Sequence, residues 1–549
     1  MFEVAAARKR AGVTILDVDG NRMYRTYEEM LADAAEKAGA LTARDIGPGD
    51  RLALFARTSF DFIVGCMACW RLGAVVVPLA SPPKFMSHDA WTKQAASRIR
   101  AAGVRAVLSS DDIEDHVGDV RVVPLAELKS STSLTVPGPD VNSPAVIQFT
   151  SGSTANPRGI VLSHSTLVAQ LDILLETFNE GRPDAHAVSW LPLYHDLGFV
   201  AMLLTHIAAG DPITLLSPEL FLFDPAIWLV EISRNRAYLS GAPAFAYGVA
   251  ARAIEKGLPE PIDLSCWETA ASGGESINPK PVHRFFESAG RFGFDPGAFC
   301  AGYGLAEASC VATVARPGQG LQVDFVDRGS LVNGKAVSAS TADAGGAQFV
   351  SCGPPLPRIE VEVVGENGKP VAEREIGEVR IAGPTLMQGY VDDPESTGAV
   401  LRGKWLTTGD VGYLAGGDLY ITGRAKDTII IRGQNFSPED LERVVEEAPG
   451  TRWGASAAIG VRTDDSESAV FVVETKVKDR SELRGLRSEI QKRLLSESGI
   501  VARDLLFLPP YSLPRTSSGK LQRSKVRSMY ESGELRGLAL EAGDEDARV

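Results

Sequence analysis

The stretch Ala-Val-Ile-Gln-Phe-Thr-Ser-Gly-Ser-Thr-Ala-Asn-Pro-Arg-Gly, residues 145–159, joins a short apolar run to a loop rich in glycine and hydroxyl groups. The apolar start is typical of a buried strand, and the small side chains after it let backbone N–H groups approach a polyphosphate. No Gly-Lys-Ser/Thr follows Gly152 at the spacing of a P-loop. By itself the stretch therefore fits either a phosphate-binding loop or a plain Ser/Gly turn.

The residues before this loop alternate between helix-like and strand-like segments. Apolar side chains recur at helical spacing over 26–41, and residues 61–72 form a second, strongly apolar helix that Gly73 closes. Short apolar runs, typical of buried parallel strands, lie at 51–55, 74–79, 104–108 and 121–124. This rhythm predicts an α/β fold with parallel sheets.

The alternation of helix-like and strand-like segments changes twice after the loop at 145–159. Glycine and proline cluster between about 315 and 400, which predicts short strands and a small β-rich subdomain. From Asp427 onward we expect a compact α+β unit that forms a separate, mobile lid. Its predicted helices span 438–447 and 481–496, and its predicted strands span 455–461 and 469–476. Residues 534–549 are acidic and poor in large apolar groups, so we expect a frayed tail.

Composition narrows the possible functions. The chain has 549 residues, 44% of them hydrophobic and 23% charged, which excludes a mainly disordered or fibrous protein. Its formal net charge of −14 gives no electrostatic reason to bind nucleic acid or an anionic membrane. A local pocket can still bind phosphate through backbone N–H groups and one lysine.

The cysteines and the N-terminal residues indicate the cellular compartment in which we expect the protein. Six cysteines in a chain of this length do not form a disulfide scaffold. Cys66 and Cys69 have CxxC spacing, but no second pair completes a zinc site, so we interpret them as core thiols of a buried helix. No signal peptide and no membrane-spanning segment is evident, which favours a soluble cytoplasmic enzyme.

Five further short motifs follow the loop in order. They are Ser272-Gly273-Gly274-Glu275, Tyr303-Gly304-Leu305-Ala306-Glu307, Trp405-Leu406-Thr407-Thr408-Gly409-Asp410, Ile421-Thr422-Gly423-Arg424-Ala425-Lys426-Asp427 and Leu513-Pro514-Arg515-Thr516-Ser517-Ser518-Gly519-Lys520. Each motif is individually weak. Their number, order and spacing are together hard to produce by chance.

With these motifs the whole chain resembles the AMP-forming adenylating enzymes: acyl-CoA synthetases, peptide-synthetase adenylation domains and luciferases. Within that superfamily it is most similar to the fatty acyl-AMP ligases. The loop carries Arg158 where the usual lysine stands before the final glycine. The subfamily likeness also rests on Trp190-Leu191-Pro192-Leu193-Tyr194-His195-Asp196-Leu197-Gly198, on residues 303–308 and on Val350-Ser351-Cys352-Gly353.

The resemblance implies the cofactors ATP and Mg²⁺ and a role for each motif. The residues expected to hold ATP are Thr150, Ser151, Gly152, Ser153 and Thr154 at the phosphates, Ser272, Gly273, Gly274, Glu275, Tyr303 and Gly304 around the adenine, and Asp410 and Arg424 at the ribose and phosphates. Thr150 and Glu307 are expected to bind Mg²⁺, a hard cation that favours oxygen ligands. Lys520 is expected to reach the α-phosphate and the substrate carboxylate, where its charge stabilises the transition state.

Simpler interpretations stay open for several of these residues. Glu307 could cap a helix, and Lys520 could belong to a solvated basic loop. His195 is expected at the mouth of an acyl pocket, although a lone histidine in an apolar string is often a core residue. Lys426 is expected to be the hinge between domains 1–424 and 425–549, although it could be an ordinary surface lysine. No Ser-His-Asp set or Gly-x-Ser-x-Gly elbow suggests a hydrolase.

The resemblance also implies the substrates. We expect a medium- or long-chain fatty acid, and acyl transfer to the phosphopantetheine of an acyl carrier protein on a separate chain. Only residues 391–404 separate Tyr390 from Trp405, which is short for this subfamily and keeps CoA as an alternative acceptor. Apolar residues 199–204, 220–223 and 245–249 could line an acyl tunnel or form ordinary core. From another class, a catalytically inactive scaffold or nucleotide-binding protein also stays open.

Overall fold

The structure is a computed structural model. It describes residues 11–55, 57–81, 88–110, 116–130, 139–149, 158–178, 185–339, 346–431, 434–462, 467–516 and 519–540. In these ranges the chain forms two eight-stranded sheets, a smaller β-rich region and a C-terminal α+β region. The α/β class expected from the sequence is confirmed.

The first eight-stranded sheet contains the apolar start of the stretch at 145–159. Its strands, in spatial order, are Gly389–Tyr390 (β20), Gly159–Ser163 (β9), Pro144–Phe149 (β8), Val75–Leu79 (β4), Arg51–Phe55 (β3), Ala106–Ser109 (β5), Val120–Pro124 (β7) and His116–Val117 (β6). The strands from β8 to β7 run parallel, and antiparallel pairs close both edges. Alternate residues of β3 and β4 enter two different hydrophobic clusters. Both faces are therefore buried, which explains the continuous apolar runs.

The second eight-stranded sheet is also mainly parallel. Its strands, in spatial order, are Thr313–Val314 (β15), Phe299–Tyr303 (β14), Thr269–Ser272 (β13), Leu239–Ala242 (β12), Ala187–Ser189 (β10), Ile213–Leu216 (β11), Gly12–Leu16 (β1) and Arg22–Thr26 (β2). Only the outermost pairs are antiparallel. The carboxyl ends of its central strands consequently meet at one edge.

Helices cover these sheets. The α-helices are Tyr27–Thr42 (α1), Phe60–Arg71 (α2), His88–Ala101 (α3), His164–Phe178 (α4), Thr205–Ala209 (α5), Pro218–Phe223 (α6), Ala226–Arg234 (α7), Ala244–Lys256 (α8), Pro279–Gly290 (α9), Arg328–Val332 (α10), Pro394–Val400 (α11), Pro438–Glu446 (α12), Arg480–Ser498 (α13), Arg523–Glu531 (α14) and Glu534–Leu538 (α15). A π-helix spans Leu197–Leu204. Helix α1 begins at a capping box, in which Thr26 and Glu29 satisfy each other's backbone N–H groups. Cys66 and Cys69 lie buried in α2, and burial raises the pKa of both thiols, which confirms the core interpretation.

The region rich in glycine and proline forms short strands, as expected. One sheet contains Glu360–Val364 (β18), Gly377–Ala382 (β19), Trp405–Ala415 (β22), Leu401–Arg402 (β21) and Asp418–Arg424 (β23), and a separate ribbon contains Val323–Val326 (β16) and Ala347–Val350 (β17). The five-stranded sheet is antiparallel and ends at Arg424. The C-terminal region therefore begins directly after the last strand of this sheet.

The C-terminal region has its own hydrophobic clusters. Its strands are Ile429–Ile431 (β24), Gln434–Phe436 (β25), Ser456–Arg462 (β26), Glu467–Glu474 (β27) and Asp504–Leu508 (β28). Helices α12 and α13 pack over one cluster, and α14 and α15 contribute to another. Across the described residues, no hydrophobic cluster combines side chains from both sides of Arg424.

Polar contacts join the C-terminal region to the rest of the chain. Arg328 donates two hydrogen bonds to the Asp440 carboxylate, at 2.9 and 3.0 Å, and both side chains are largely buried. Lys280 pairs with Glu447, and its ammonium also lies 5.1 Å from the centroid of the Trp453 ring. We call these contacts the seam.

The expectation of a frayed tail is wrong for its first residues. Glu534–Leu538 form α15, and the Leu535 side chain is fully buried in the C-terminal region. Leu535, Leu538 and Leu540 stand among charged and small residues, which is a weak sequence signal, but Leu535 completes a hydrophobic cluster built by distant strands. Residues 541–549 lie outside the described residues.

Candidate active site

The parallel order of the second sheet brings three of the quoted motifs to one edge. Strand β13 ends at Ser272 and leads into Gly273 and Gly274, and its neighbour β14 ends at Tyr303. Strand β10 ends at Ser189, just before the string that holds His195. The carboxyl edge of a parallel sheet is where α/β proteins usually bind ligands.

Two glycines allow the backbones of these loops to approach each other closely. A Cβ placed on Gly273 would lie 2.9 Å from the Gly302 carbonyl oxygen, and one on Gly304 would lie 1.9 Å from that of Cys310. Any larger residue would force the loops apart. The Ser272 hydroxyl beside them is buried and has no hydrogen-bond partner among the described residues, so it fits a site where a polar ligand would supply one.

Tyr303, Asp410 and Arg424 form a hydrogen-bonded group. The Tyr303 hydroxyl donates to Asp410 Oδ2 at 2.6 Å, and Arg424 Nε donates to Asp410 Oδ1 at 3.0 Å. Burial and the Asp410 carboxylate raise the pKa of Tyr303 well above its usual value. Strands β22 and β23 hold Asp410 and Arg424 opposite each other in register, so the β-rich sheet fixes one wall of the site.

Glu307 is the last residue of the Tyr303 motif and lies in a short 3₁₀ turn. Its carboxylate accepts a hydrogen bond from the Tyr390 hydroxyl at 3.1 Å, and burial raises its pKa. The Arg158 guanidinium lies 5.3 Å from the centroid of the same Tyr390 ring. Tyr390 therefore links Glu307 to the end of the loop at 145–159, a role for which the sequence offered no signal.

His195 and Asp196 lie side by side before the π-helix. His195 Nδ1 lies 2.6 Å from Asp196 Oδ1, and the same oxygen accepts the Leu197 backbone N–H at 2.7 Å. Burial alone would raise the pKa of the Asp196 carboxyl, but the charges of His195 and Lys520 hold it below its usual value. Asp196 was not among the site residues expected from the sequence, although it stands next to His195.

Lys520 reaches the Gly273–Gly274 turn from the C-terminal region. Its backbone N–H donates to Thr516 Oγ1 at 3.0 Å, and its carbonyl accepts the Thr516 N–H at 2.8 Å, which closes a tight loop. A Cβ placed on Gly274 would lie 4.0 Å from the Lys520 ammonium. The ammonium thus lies against the Gly273–Gly274 turn, and its charge lowers the pKa of the Asp196 carboxyl.

A buried cluster of charges anchors the segment that follows Lys520. Arg523 donates two hydrogen bonds to Glu442, at 2.9 and 2.7 Å, and pairs with Glu439 at 2.8 Å and with Asp427 at 4.0 Å. Burial alone would lower the pKa of Arg523, but these carboxylates raise it. No local sequence pattern predicts this cluster, because about 80 residues separate Arg523 from Glu442 and Glu439.

The structure gives different outcomes for the remaining site residues that the sequence predicted. Thr150, Ser151, Gly152, Ser153 and Thr154 lie outside the described residues. The Glu275 carboxylate accepts the Phe245 N–H at 3.0 Å, so it supports the start of α8. Lys426 is exposed in a turn directly after β23, where its neighbours Asp427 and Thr428 donate backbone hydrogen bonds to the Arg424 carbonyl.

The apolar stretches near His195 are partly core and partly surface. Six of the eight π-helix residues are buried. Trp190 stacks on Phe221 with ring centroids 3.9 Å apart, and Phe245 meets Trp190 edge-on at 6.2 Å. Phe223 is 90% exposed and so does not line an interior tunnel.

The described part of the chain includes neither a preformed metal cluster nor a membrane-spanning helix. No group of three or more His, Cys, Asp or Glu side chains there is arranged to hold a metal ion. Of the described helices, none is long and apolar enough to cross a membrane.

Comparison with known proteins agrees with this architecture. The family described as AMP-binding enzyme matches residues 2–391, and a second description, the AMP domain of Disco-interacting protein 2-like proteins, matches residues 426–539. The fold is that of the adenylating enzymes. The chain belongs to the AMP-binding enzyme family and is an AMP-forming ligase.

Individual relatives span nearly the whole chain. A protein of Caulobacter vibrioides, provisionally named an acyl-CoA synthetase, is 32% identical over 96% of this chain and 94% of its own length. JamA of Moorena producens, named a medium-chain-fatty-acid–[acyl-carrier-protein] ligase, is 29% identical over 91% of this chain and 89% of its own. A structure from a study of fatty acyl-adenylate ligases of E. coli and L. pneumophila is 34% identical, covers 98% of both chains and has a TM-score of 0.89.

Proposed function

We propose that this enzyme activates a medium- or long-chain fatty acid with ATP and then passes the acyl group to the phosphopantetheine of a separate acyl carrier protein. In the first step a carboxylate oxygen attacks the α-phosphorus of ATP, the bond from that phosphorus to the bridging oxygen breaks, and pyrophosphate leaves. In the second step the pantetheine thiol loses its proton and attacks the acyl carbon, and AMP leaves. The observation that carries the proposal is the meeting of Lys520 with the Gly273–Gly274 turn.

The described residues suit the first step. The Lys520 ammonium is a fixed positive charge beside the turn, suited to the charge that develops at the α-phosphate. The Asp410 carboxyl group offers oxygen acceptors suited to ribose hydroxyls, and Arg424 holds one of its oxygens in place. Tyr303, Gly273 and Gly274 are the residues proposed to enclose the adenine.

The oxygen ligands proposed around Glu307 are of the kind that Mg²⁺ prefers. Mg²⁺ is usually bound through one or two carboxylates together with substrate phosphates and water. Glu307 is a half-buried carboxylate with one oxygen hydrogen-bonded to Tyr390, and Thr150 is the second proposed ligand. Bound there, the ion would neutralise phosphate charge, while Tyr390 keeps the carboxylate oriented.

The apolar surroundings of His195 and the names of the relatives support the proposed fatty-acid substrate and the proposed acyl acceptor. The buried apolar π-helix next to His195 supports an aliphatic acid, with His195 near its carboxylate. The names of JamA and of the fatty acyl-adenylate ligases support a fatty acid and a carrier acceptor. The short connection at 391–404, where α11 and β21 leave little extra chain, supports CoA as the second candidate.

A competition between acceptors tests the proposal. We expect fatty acids, ATP and Mg²⁺ to yield acid-dependent pyrophosphate, and we expect a phosphopantetheinylated carrier to accept the acyl group at least tenfold faster than CoA. Comparable rates with CoA would contradict the choice of acceptor. No pyrophosphate release with any fatty, aromatic or amino acid would contradict the whole proposal and favour a scaffold.

The proposed hinge at Lys426 gives a separate prediction. Lys426→Pro should restrict φ there and disfavour helical backbone at Ala425, so reorientation of the C-terminal region should slow. We expect acyl-adenylate formation to stay within about threefold of wild type and acyl transfer to fall at least tenfold. Lys426→Ala, which keeps the backbone free, is the control. Equal losses in both half-reactions with Lys426→Pro would contradict the hinge.

A further inference from the structure

Helix α12 and the residue that follows it carry two sets of charged side chains, and each set bonds to a different part of the molecule. Within a set the residues are three or four positions apart, a spacing that places them on one side of a helix. The first set is Asp440, Arg443 and Glu447, and the second is Glu439, Glu442 and Glu446. The first set contacts residues that precede Arg424, and the second contacts the C-terminal region itself.

The pair between Arg328 and Asp440 is the more enclosed of the two ion pairs in the seam. Arg328 Nε and Nη2 donate to the two Asp440 oxygens at 2.9 and 3.0 Å, and the side chains are 17% and 11% exposed. Those of Lys280 and Glu447 are 51% and 31% exposed. A bidentate arginine–carboxylate pair is strong and directional, whereas exposed pairs contribute little. Arg328 is therefore the main polar anchor of α12 in the seam.

Arg443 contacts the same part of the molecule about one turn further along α12. It donates a hydrogen bond to the Gln348 carbonyl, and its guanidinium lies 5.9 Å from the centroid of the Phe349 ring. Strand β17 contains Gln348 and Phe349, and its partner β16 ends two residues before Arg328. The segments around this ribbon therefore contact α12 at two points, which restricts the rotation of the helix as well as its position.

The second set joins α12 to the segment that carries Lys520. Glu439 and Glu442 pair with Arg523 at 2.8 and 2.7 Å. Arg523 is the first residue of α14 and stands three residues after Lys520. One helix thus connects the seam to the segment of Lys520, and every contact along this path is a hydrogen bond or an ion pair of the structure.

We propose that Arg328 and Asp440 are positioning residues for adenylation: their ion pair holds α12, and with it Lys520, in the orientation in which the Lys520 ammonium lies against the Gly273–Gly274 turn. The pair acts through Lys520 and not through contact with ATP. The proposal rests on the adenylation role of Lys520 proposed above. Because a turn of the C-terminal region for acyl transfer would break the pair, its loss should slow the first half-reaction and should not slow the second.

The test removes the charge of Arg328 and keeps much of its length. With Arg328→Met, we expect kcat for acid-dependent pyrophosphate release to fall at least fivefold and KM for ATP to change less than threefold. Transfer from preformed acyl-adenylate should keep at least half of its wild-type rate or become faster. Arg328→Lys, which keeps the charge but not the bidentate geometry, should adenylate at least twofold faster than Arg328→Met.

A matched pair on the same ribbon provides the control. Arg374 pairs with Asp324 of β16 at 3.0 Å, and this pair does not cross the seam. Arg374→Met should therefore leave the ratio of the two half-reaction rates within twofold of wild type. A shift of that ratio as large as the shift with Arg328→Met would overturn the role of the seam.

A double substitution separates positioning from folding. Asp440→Asn removes the partner charge with almost no change in shape, and we expect it to lower adenylation in the same way as Arg328→Met. The two substitutions together should cost less than a further threefold beyond the larger single loss, because only one contact is lost. A further loss of threefold or more would overturn the proposal, as would a loss of transfer by more than twofold. If Arg328→Met does not fold, Asp440→Asn alone decides by the same comparison of half-reactions.

The outcomes also distinguish this inference from the function on which it rests. Wild-type protein without acid-dependent pyrophosphate release overturns both. Active wild-type protein whose folded Arg328→Met variant keeps kcat for adenylation within fivefold overturns only the role of the ion pair.

Discussion

Lys520→Ala should slow acyl-adenylate formation by about 10²–10³-fold, the cost typical of removing one preorganised donor from a site of this kind. The ammonium lies beside the Gly273–Gly274 turn. Charge that develops on the α-phosphate would lose its fixed counter-charge, whereas ground-state binding of ATP depends on many other groups. The loss should therefore appear in kcat more than in KM for ATP.

Two measurements check this expectation. Pyrophosphate release reports adenylation, and transfer from preformed acyl-adenylate to a carrier reports the second step, which should stay within about threefold of wild type. Lys525→Ala, which removes the same charge from an exposed position in the following helix, is the matched control. A Lys520→Ala variant that adenylates at the control rate would remove Lys520 from the mechanism.

Arg523→Met should have the largest effect on stability. The substitution leaves Glu442 and Glu439 buried without their counter-charge, and breaking a buried ion pair from one side typically costs about 3–5 kcal/mol. We expect the C-terminal region to lose roughly that much free energy of unfolding. Hydrogen exchange of the amides in β26 and β27, followed by mass spectrometry, would show the loss locally.

An exposed ion pair in the same region provides the comparison. Arg536 pairs with Asp504 at 2.9 Å, but its side chain is 59% exposed. Arg536→Met should therefore cost less than about 1 kcal/mol. Similar exchange profiles for the two variants would contradict the special position of Arg523.

Local sequence signals predicted much of the fold. The apolar runs at 51–55 and 74–79 predicted parallel strands because both of their faces are buried, and the structure confirms this. Strand order was not predictable, since β20 pairs with β9 across more than 200 residues. The π-helix also escaped prediction, because an entirely apolar string carries no period that distinguishes it from an α-helix.

The residues of the candidate site were likewise only partly predictable from the sequence. Motif order predicted Gly274, Tyr303, Glu307 and Asp410, and the structure brings them to one edge, although their roles stay predictions. Asp196 and Arg523 were not predicted, because a buried charge acquires its partners only through tertiary contacts. No local pattern links Arg523 to carboxylates on a helix about 80 residues earlier.

The seam has a consequence for solubility. Its contacts are ion pairs, hydrogen bonds and a cation over a ring, and no described hydrophobic cluster crosses it. If the two surfaces separated, water would hydrate their charged groups, and no large apolar surface would become exposed. An open enzyme should then resist self-association, so the C-terminal region could separate once per catalytic cycle without promoting aggregation.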